Sequence, residues 1–196
     1  MSRASSDTRA RILNCTWNLL ESRDKKVRMS DIAKAVGISR QALYLHFPMG
    51  AELLIATTRH IDSVKDVDAR LAESRAATSG CDRLAAFIHG WGGYIPEVHG
   101  LFVALRNMRD DDAEAAVAWD DRMRAVRHGY DAVVAALVAD KMLRPDLNNE
   151  VATDLLWTPP SVENWARLVC DCGWSQAEYR NQIKRRAEAT LLATDQ

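Results

Sequence analysis

Side chains that can read nucleic-acid bases are concentrated in one short segment, residues 39–46. Arg40 and Gln41 are adjacent there, and both types can form paired hydrogen bonds to base edges, arginine to guanine and glutamine to adenine. Ser39 precedes them, and Tyr44 and His46 follow at positions from which they can reach phosphate oxygens. The residue types therefore predict DNA recognition, provided that a helix presents them outwards.

The apolar spacing around this segment predicts two short helices, at 29–36 and 40–46, packed on a first helix at 8–22. Gly37 is typical of a helix C-cap and Ser39 of a helix N-cap. Two short helices joined by such a turn form a helix-turn-helix, whose second helix enters the major groove. A plain helical hairpin with solvated Arg40 and Gln41 is the alternative. Ala33 is small where the two helices are expected to approach closely, and the predicted shared core comprises Ile32, Val36, Ile38, Leu43 and Phe47.

Charge is divided unevenly along the chain, although the total is only −1. Residues 1–50 contain nine Lys or Arg and four Asp or Glu, whereas the remainder contains 17 basic and 23 acidic residues. A basic end on an acidic body is typical of a polyanion-binding head on a separate module. Chance clustering of solvated charges gives the same count, so this pattern alone leaves both interpretations open.

The rest of the chain also follows helical periodicity, with no alternating run that indicates a sheet, so an all-α fold is predicted. The segment Thr158-Pro159-Pro160-Ser161 predicts a kink or break, because proline interrupts the helical hydrogen-bond ladder. The further predicted helices span 51–78 (one long helix), 81–94, 97–108, 112–142, 147–171 and 175–193.

Composition excludes several classes of protein. Hydrophobic residues make up 47% and charged residues 27% of the 196 positions, as in ordinary globular domains. Four cysteines are too few for a disulfide scaffold, and no apolar stretch approaches the ~18 residues of a membrane span. The polar start does not look like a secretory signal. We therefore expect a cytoplasmic protein without membrane contact.

Catalytic and metal-binding patterns are weak. Cys170 and Cys172 would face different sides of a helix, and no second ligand pair accompanies them. The sequence contains no phosphate loop and no nucleophile motif. The expectation is a protein with no catalytic residues, no metal and no cofactor.

The stretch that contains Ile32-Ala33, Gly37-Ile38-Ser39, Leu43-Tyr44, His46-Phe47 and Glu52-Leu53 resembles the DNA-binding domain of TetR-family transcriptional regulators. The resemblance implies a helix-turn-helix domain over 1–50, followed by a helical ligand-binding and dimerisation domain over 51–196. It also implies a homodimeric repressor that binds a palindromic operator in double-stranded DNA and is released by a small-molecule effector.

Two positions depart from the family pattern. Gly50 stands where members commonly carry a lysine that touches a phosphate, so this contact should be missing. Arg28 stands where many members carry a threonine that caps the second helix and contacts the DNA backbone. Arg28 is expected to replace the phosphate contact but not the cap.

The body is rich in aromatic residues, since five of the six tryptophans lie beyond residue 90. Ligand pockets are concave and rich in aromatic side chains, so this density predicts a site for an apolar or aromatic molecule. Ordinary core packing would use the same residues. The predicted lining residues are Trp91, Tyr94, Phe102, Trp119, Met123 and Trp157.

The last two predicted helices carry more apolar positions than one small core accommodates, which predicts dimerisation through them. Two rival hypotheses remain at this point. One is a helical small-molecule-binding protein or enzyme whose helix-turn-helix is merely structural. The other is a dimeric DNA-binding regulator without a small ligand. The apolar positions in question are Val151, Leu155, Leu156, Val162, Leu168, Val169, Ile183, Leu191 and Leu192.

Overall fold

A computed structural model describes residues 3–22 and 27–193. Within these ranges the chain is helical and has no β-strand beyond an isolated bridge between Leu143 and Leu192, which confirms the all-α class. Residues 23–26, which lie between the first two predicted helices, are outside the described ranges. The helices are α1 (Arg3–Glu21), α2 (Met29–Val36), α3 (Arg40–His46), α4 (Gly50–Val64), α5 (Val67–Arg70), α6 (Ala72–Ala76), α7 (Gly80–Arg109), α8 (Ala113–Ala139), α9 (Asn149–Trp157), α10 (Val162–Trp165) and α11 (Gln176–Leu191), with a π-helix at Ala166–Asp171 between the last two.

The turn between α2 and α3 has the predicted caps. Gly37 adopts the left-handed conformation, at φ 76°, and its N–H donates to the carbonyl of Ala33 at 3.0 Å. The hydroxyl of Ser39 accepts a 3.1 Å hydrogen bond from the N–H of Ala42. These bonds satisfy groups that a helix end leaves without intrahelical partners, so the turn is specified locally.

The core beneath this turn confirms the predicted packing of α2 and α3 on α1. Ile38, which the sequence predicts for this core, is partly buried and packs against the core residues. Burial of this apolar surface holds α2 and α3, which are too short to be stable alone, against α1. The buried residues are Ile12, Leu13, Ile32, Ala33, Val36, Leu43, Phe47 and Leu53.

Two basic residues of α1 bind the C-terminal ends of α2 and α3. Arg11 Nη2 donates to the carbonyl of Val36 at 2.8 Å, at the end of α2. Arg9 Nη1 donates to the carbonyl of His46 at 3.0 Å, and its guanidinium lies 4.1 Å from the centre of the Phe47 ring. Cations are stabilising at helix C-termini. Part of the positive charge of residues 1–50 therefore holds the C-terminal ends of α2 and α3.

The predicted extent of the long helix, 51–78, is wrong. Helix α4 ends at Val64, and Asp66 takes the left-handed conformation at φ 52°. The Asp66 carboxylate then accepts from the N–H of Ala69 at 3.2 Å and caps α5. Aspartate tolerates this backbone conformation and is a good N-cap, so one residue interrupts an apolar stripe that continues past it.

The predicted division of 81–94 from 97–108 is also wrong, because α7 continues through Pro96. Proline lacks an N–H, so the carbonyl four residues earlier, that of Gly92, loses its helical donor. The side chain of Gln176 supplies the replacement, with Nε2 at 2.6 Å from the Gly92 oxygen. Gln176 in turn accepts from the indole N–H of Trp165 at 2.8 Å.

The predicted break at 158–161 is confirmed between α9 and α10. Helices α8 and α11 lie where the sequence predicts them. Asp112 caps the start of α8, accepting from the N–H of Glu114 at 3.0 Å and that of Ala115 at 3.3 Å.

The chain forms two compact units. The first comprises Met1–Lys65 and Gly100–Met123, and the second comprises Asp66–His99 and Arg124–Gln196. The boundary between a head at 1–50 and a body at 51–196 stays a prediction. Among the described residues, no helix is both long and apolar enough to cross a membrane.

Candidate nucleic-acid interface

Helix α3 has a buried side and an exposed side. Leu43 is fully buried in the core of the first unit, whereas Arg40 and Gln41 are exposed and Tyr44 is 40% exposed. The helix therefore presents three candidate DNA-binding side chains to solvent over a fixed apolar base. An N-terminal half with this exposure is what a helix needs to reach base edges in a major groove.

Ser39 and His46 mark the two ends of α3. The exposed Ser39 uses its hydroxyl to cap the helix, so its role includes setting where the reading helix begins. His46 is half-buried, and its backbone carbonyl is held by Arg9. Of the candidate DNA-binding residues, these two are the ones that also form part of the scaffold of α3.

Arg28 is exposed at the N-cap position of α2, and its side chain provides no cap hydrogen bond. The Arg28 N–H instead donates to the carboxylate of Asp31 at 3.2 Å. This bond is one half of a capping box. The start of α2 is therefore stabilised while the Arg28 guanidinium stays at the surface.

Leu45 is a candidate that sequence reasoning missed. Its side chain is 84% exposed on α3, four residues after Gln41. An exposed apolar side chain on a reading helix can contact the methyl group of thymine. The sequence contained this signal, because a leucine two residues after the core residue Leu43 lies on the opposite side of the helix.

The sequence of residues 12–57 matches the family described as bacterial regulatory proteins, tetR family. The match covers α2, the turn, α3 and parts of α1 and α4. Residues 12–57 therefore carry the DNA-binding domain of the TetR family. The protein is a DNA-binding transcriptional regulator with a helix-turn-helix, and the TetR family is not one of enzymes.

Solved structures of TetR-like fold extend over nearly the whole chain. A protein described as a transcriptional regulator from Saccharomonospora viridis, solved with choline, is 19% identical with a TM-score of 0.73, over 96% of this chain and 100% of that one. A TetR transcription regulator from Haloarcula marismortui is 19% identical with a TM-score of 0.68, over 95% and 99%. FadR from Bacillus subtilis, solved with stearoyl-CoA, is 13% identical with a TM-score of 0.73, over 92% and 98%. The comparison with curated proteins finds no match.

Three of the predicted ligand-lining residues lie in the first unit. Phe102 and Trp119 are buried and meet edge to face, with ring centroids 6.1 Å apart, and Met123 is half-buried. The guanidinium of Arg122 lies 5.4 Å from the Phe102 ring, and that of Arg109 lies 5.7 Å from the Trp119 ring. Phe102 and Trp119 thus form an aromatic pair bordered by cations.

The other three belong to the second unit. Trp91 and Tyr94 are buried with ring centroids 5.8 Å apart, whereas Trp157 is half-buried with the Arg127 guanidinium 5.3 Å from its ring. The Trp91 indole N–H donates to the carbonyl of Pro160 at 3.0 Å. Trp91 therefore holds the proline break in place.

Two tyrosines place hydroxyl groups in the interior of the second unit. The Tyr130 hydroxyl lies 3.4 Å from the Pro160 carbonyl, and the Tyr179 hydroxyl is buried without a hydrogen-bond partner. Burial raises the pKa of both groups, and for Tyr130 the neighbouring Tyr179 raises it further. Both stay protonated at neutral pH and can donate hydrogen bonds. A buried polar group without a partner is costly, so Tyr179 is a candidate for contact with a bound molecule.

Replacing Arg40 by alanine is expected to lower affinity for the preferred DNA sequence by about 1–3 kcal/mol and to relax the base preference at one position per half-site. Arg28→Ala should instead weaken binding to all sequences alike, because a phosphate contact carries no base information. Competition binding with matched and mismatched duplexes separates the two. An unchanged preference in Arg40→Ala would remove Arg40 from the base-reading set.

Proposed function

We propose that this TetR-family regulator is a cytoplasmic homodimeric repressor. It binds a palindromic operator through Arg28, Ser39, Arg40, Gln41, Tyr44 and His46, and a small apolar or aromatic ligand releases it. The observation that carries the DNA-binding part is the exposed row Arg40, Gln41 and Tyr44 on a helix whose opposite side is buried. Base reading requires a well-packed helix with exposed polar side chains, and α3 packs through Leu43 while Arg40 and Gln41 are exposed.

Dimerisation is supported by the apolar surface of α9. Val151 is 42% exposed and Leu155 is 40% exposed, and their spacing of four residues places them on one face of the helix. Leu156, by contrast, is buried against its own chain. A second copy of the chain would cover Val151 and Leu155. A two-fold dimer then presents two reading helices to half-sites about 34–36 Å apart, or a multiple of that spacing.

The ligand-binding part is supported by a chain of contacts within the first unit. Arg122 packs on the Phe102 ring and forms a two-pronged ion pair with Asp62 of α4, with Nη2 2.9 Å from Oδ1. Arg122 is buried, so a shift of its guanidinium would disturb its contacts with both Phe102 and Asp62. A ligand that displaces Phe102 or Trp119 would therefore act on α4, and α4 packs on α1 beside the reading helix.

The chemistry of the ligand is inferred from the aromatic residues of each unit. The related folds bind a quaternary ammonium in one case and a fatty-acyl thioester in another, so the fold accommodates either. The proposed contact residues favour an apolar or aromatic molecule in either unit, and they are Phe102, Trp119 and Met123 in the first unit and Trp91, Tyr94 and Trp157 in the second. Such a ligand releases the protein from DNA only if it binds more tightly to the conformation that does not bind the operator than to the one that does.

A release assay tests the ligand-binding part. Apolar and aromatic compounds are added to the protein bound to fluorescently labelled operator, and a fall in anisotropy identifies a ligand. Trp119→Ala should raise the concentration needed for half-release by about tenfold or more, because its aromatic contact area is lost. Trp174→Ala is the control for tryptophan loss, because Trp174 is a half-buried tryptophan of the second unit that is not among the proposed contact residues. Release that is equally efficient in Trp119→Ala and the wild type would contradict the assigned site.

A further inference from the structure

A carboxylate of α8 caps the first turn of α4, the helix that begins soon after α3 ends. The N–H of Gly50 donates to Glu114 Oε1 at 2.8 Å, while Met49, at the N-cap of α4, supplies no side-chain hydrogen bond. The first N–H groups of a helix carry partial positive charge and attract anions. In this protein the anion at that position is Glu114.

Glycine at residue 50 makes this contact possible. An ideal Cβ at residue 50 would overlap Glu114 Oε2, so any larger residue would push the carboxylate away. Gly50 is buried, and Glu114 is half-buried. The two residues therefore form a matched pair, in which the absence of a side chain on α4 leaves the space that the Glu114 side chain fills.

The same carboxylate faces the candidate DNA-contact residues. Glu114 lines an open cavity of about 390 Å³ together with Arg28, Arg40 and Tyr44. A fixed negative charge beside groups that meet phosphates opposes the approach of DNA, and it also attracts the arginines that would bind it. The size of the effect depends on salt, because the Debye length is only about 10 Å at 0.1 M ionic strength.

We propose that Glu114 is a positioning residue that holds the start of α4 and attenuates DNA affinity through its charge. The inference rests on the DNA interface proposed above. It assigns to Glu114 two separable effects, a hydrogen bond that stabilises α4 and a charge that weakens binding to every DNA sequence. Because Glu114 belongs to α8, DNA binding and the position of the first turn of α8 are then linked.

Two substitutions separate these effects. Glu114→Gln keeps the size and the acceptor oxygen but removes the charge, whereas Glu114→Ala removes both. Glu52→Gln is the control, since Glu52 is an exposed carboxylate in the first turn of α4 and carries the same charge change without the Gly50 contact. The readouts are affinity for operator and for unrelated duplex over a salt series, and thermal unfolding of each full-length variant.

Glu114→Gln is expected to bind both DNAs about three- to tenfold more tightly than the wild type at about 50 mM salt, with the gain shrinking as salt increases. Glu114→Ala should gain similarly but unfold at a lower temperature, and Glu52→Gln should change affinity less than twofold. Equal affinities of Glu114→Gln and the wild type, or equal gains in Glu114→Gln and Glu52→Gln, would overturn the proposal alone. Failure of the wild-type protein to bind any selected DNA would overturn the DNA interface as well.

Discussion

The double substitution Val151→Asp with Leu155→Asp is expected to convert the protein to monomers and to lower operator affinity by about a hundredfold or more. Both side chains are exposed on one face of α9, so aspartate at these positions leaves the monomer core intact but places two charges in an apolar interface. A monomer binds a single half-site and loses the gain of about 10²–10⁴ that linked binding provides.

Sedimentation velocity and operator titration check this result together. Val64→Asp is the control, because Val64 is 55% exposed at the C-terminal end of α4 in the other unit and tests an aspartate on apolar surface outside the proposed interface. The control should stay dimeric and keep its affinity. A double variant that stays dimeric, or a wild type that is monomeric with and without DNA, would contradict dimerisation through α9.

Leucine-to-alanine substitutions at positions 43 and 45 should have opposite consequences although both residues lie on α3. Leu43 is fully buried, so Leu43→Ala should lower the free energy of unfolding by about 2–5 kcal/mol through lost burial and a residual cavity. Leu45 is 84% exposed, so Leu45→Ala should change stability by less than about 0.5 kcal/mol. Its effect should appear instead as a weaker preference for thymine in the operator.

Chemical denaturation followed by far-ultraviolet circular dichroism measures the first effect, and binding to operators with single-base changes measures the second. The pair is informative because the chemical change is identical and only the direction of the side chain differs. Similar losses of stability in both variants would mean that α3 does not have the buried and exposed sides described above.

The head of this protein was predictable because its signals are local. The N–H of Gly37 and the hydroxyl of Ser39 each bond a backbone group a few residues away. The spacing of residues 28–47 therefore suffices to place α2 and α3. The outward position of Arg40 then follows from the inward position of Leu43. The count of basic residues in 1–50 overstated the positive charge that is available to DNA, because Arg9 and Arg11 bind the ends of α3 and α2.

The features that were not predictable depend on distant partners or on one unusual residue. Helix α7 continues through Pro96 because Gln176, 84 positions beyond Gly92, replaces the missing hydrogen bond. The contact between Gly50 and Glu114 joins residues 64 positions apart, and no local sequence pattern predicts it. Helix α4 ends at Val64 because Asp66 adopts a left-handed backbone, although the apolar stripe runs on.

Selection of bound sequences from random double-stranded DNA by the full-length protein tests most directly the claim that α3 is a base-reading helix. The account predicts a palindromic consensus, and it predicts that the same selection with Arg40→Ala loses the preference at one position in each half-site. Recovery of no consensus by the wild-type protein, or of the same consensus by the wild type and Arg40→Ala, would contradict it.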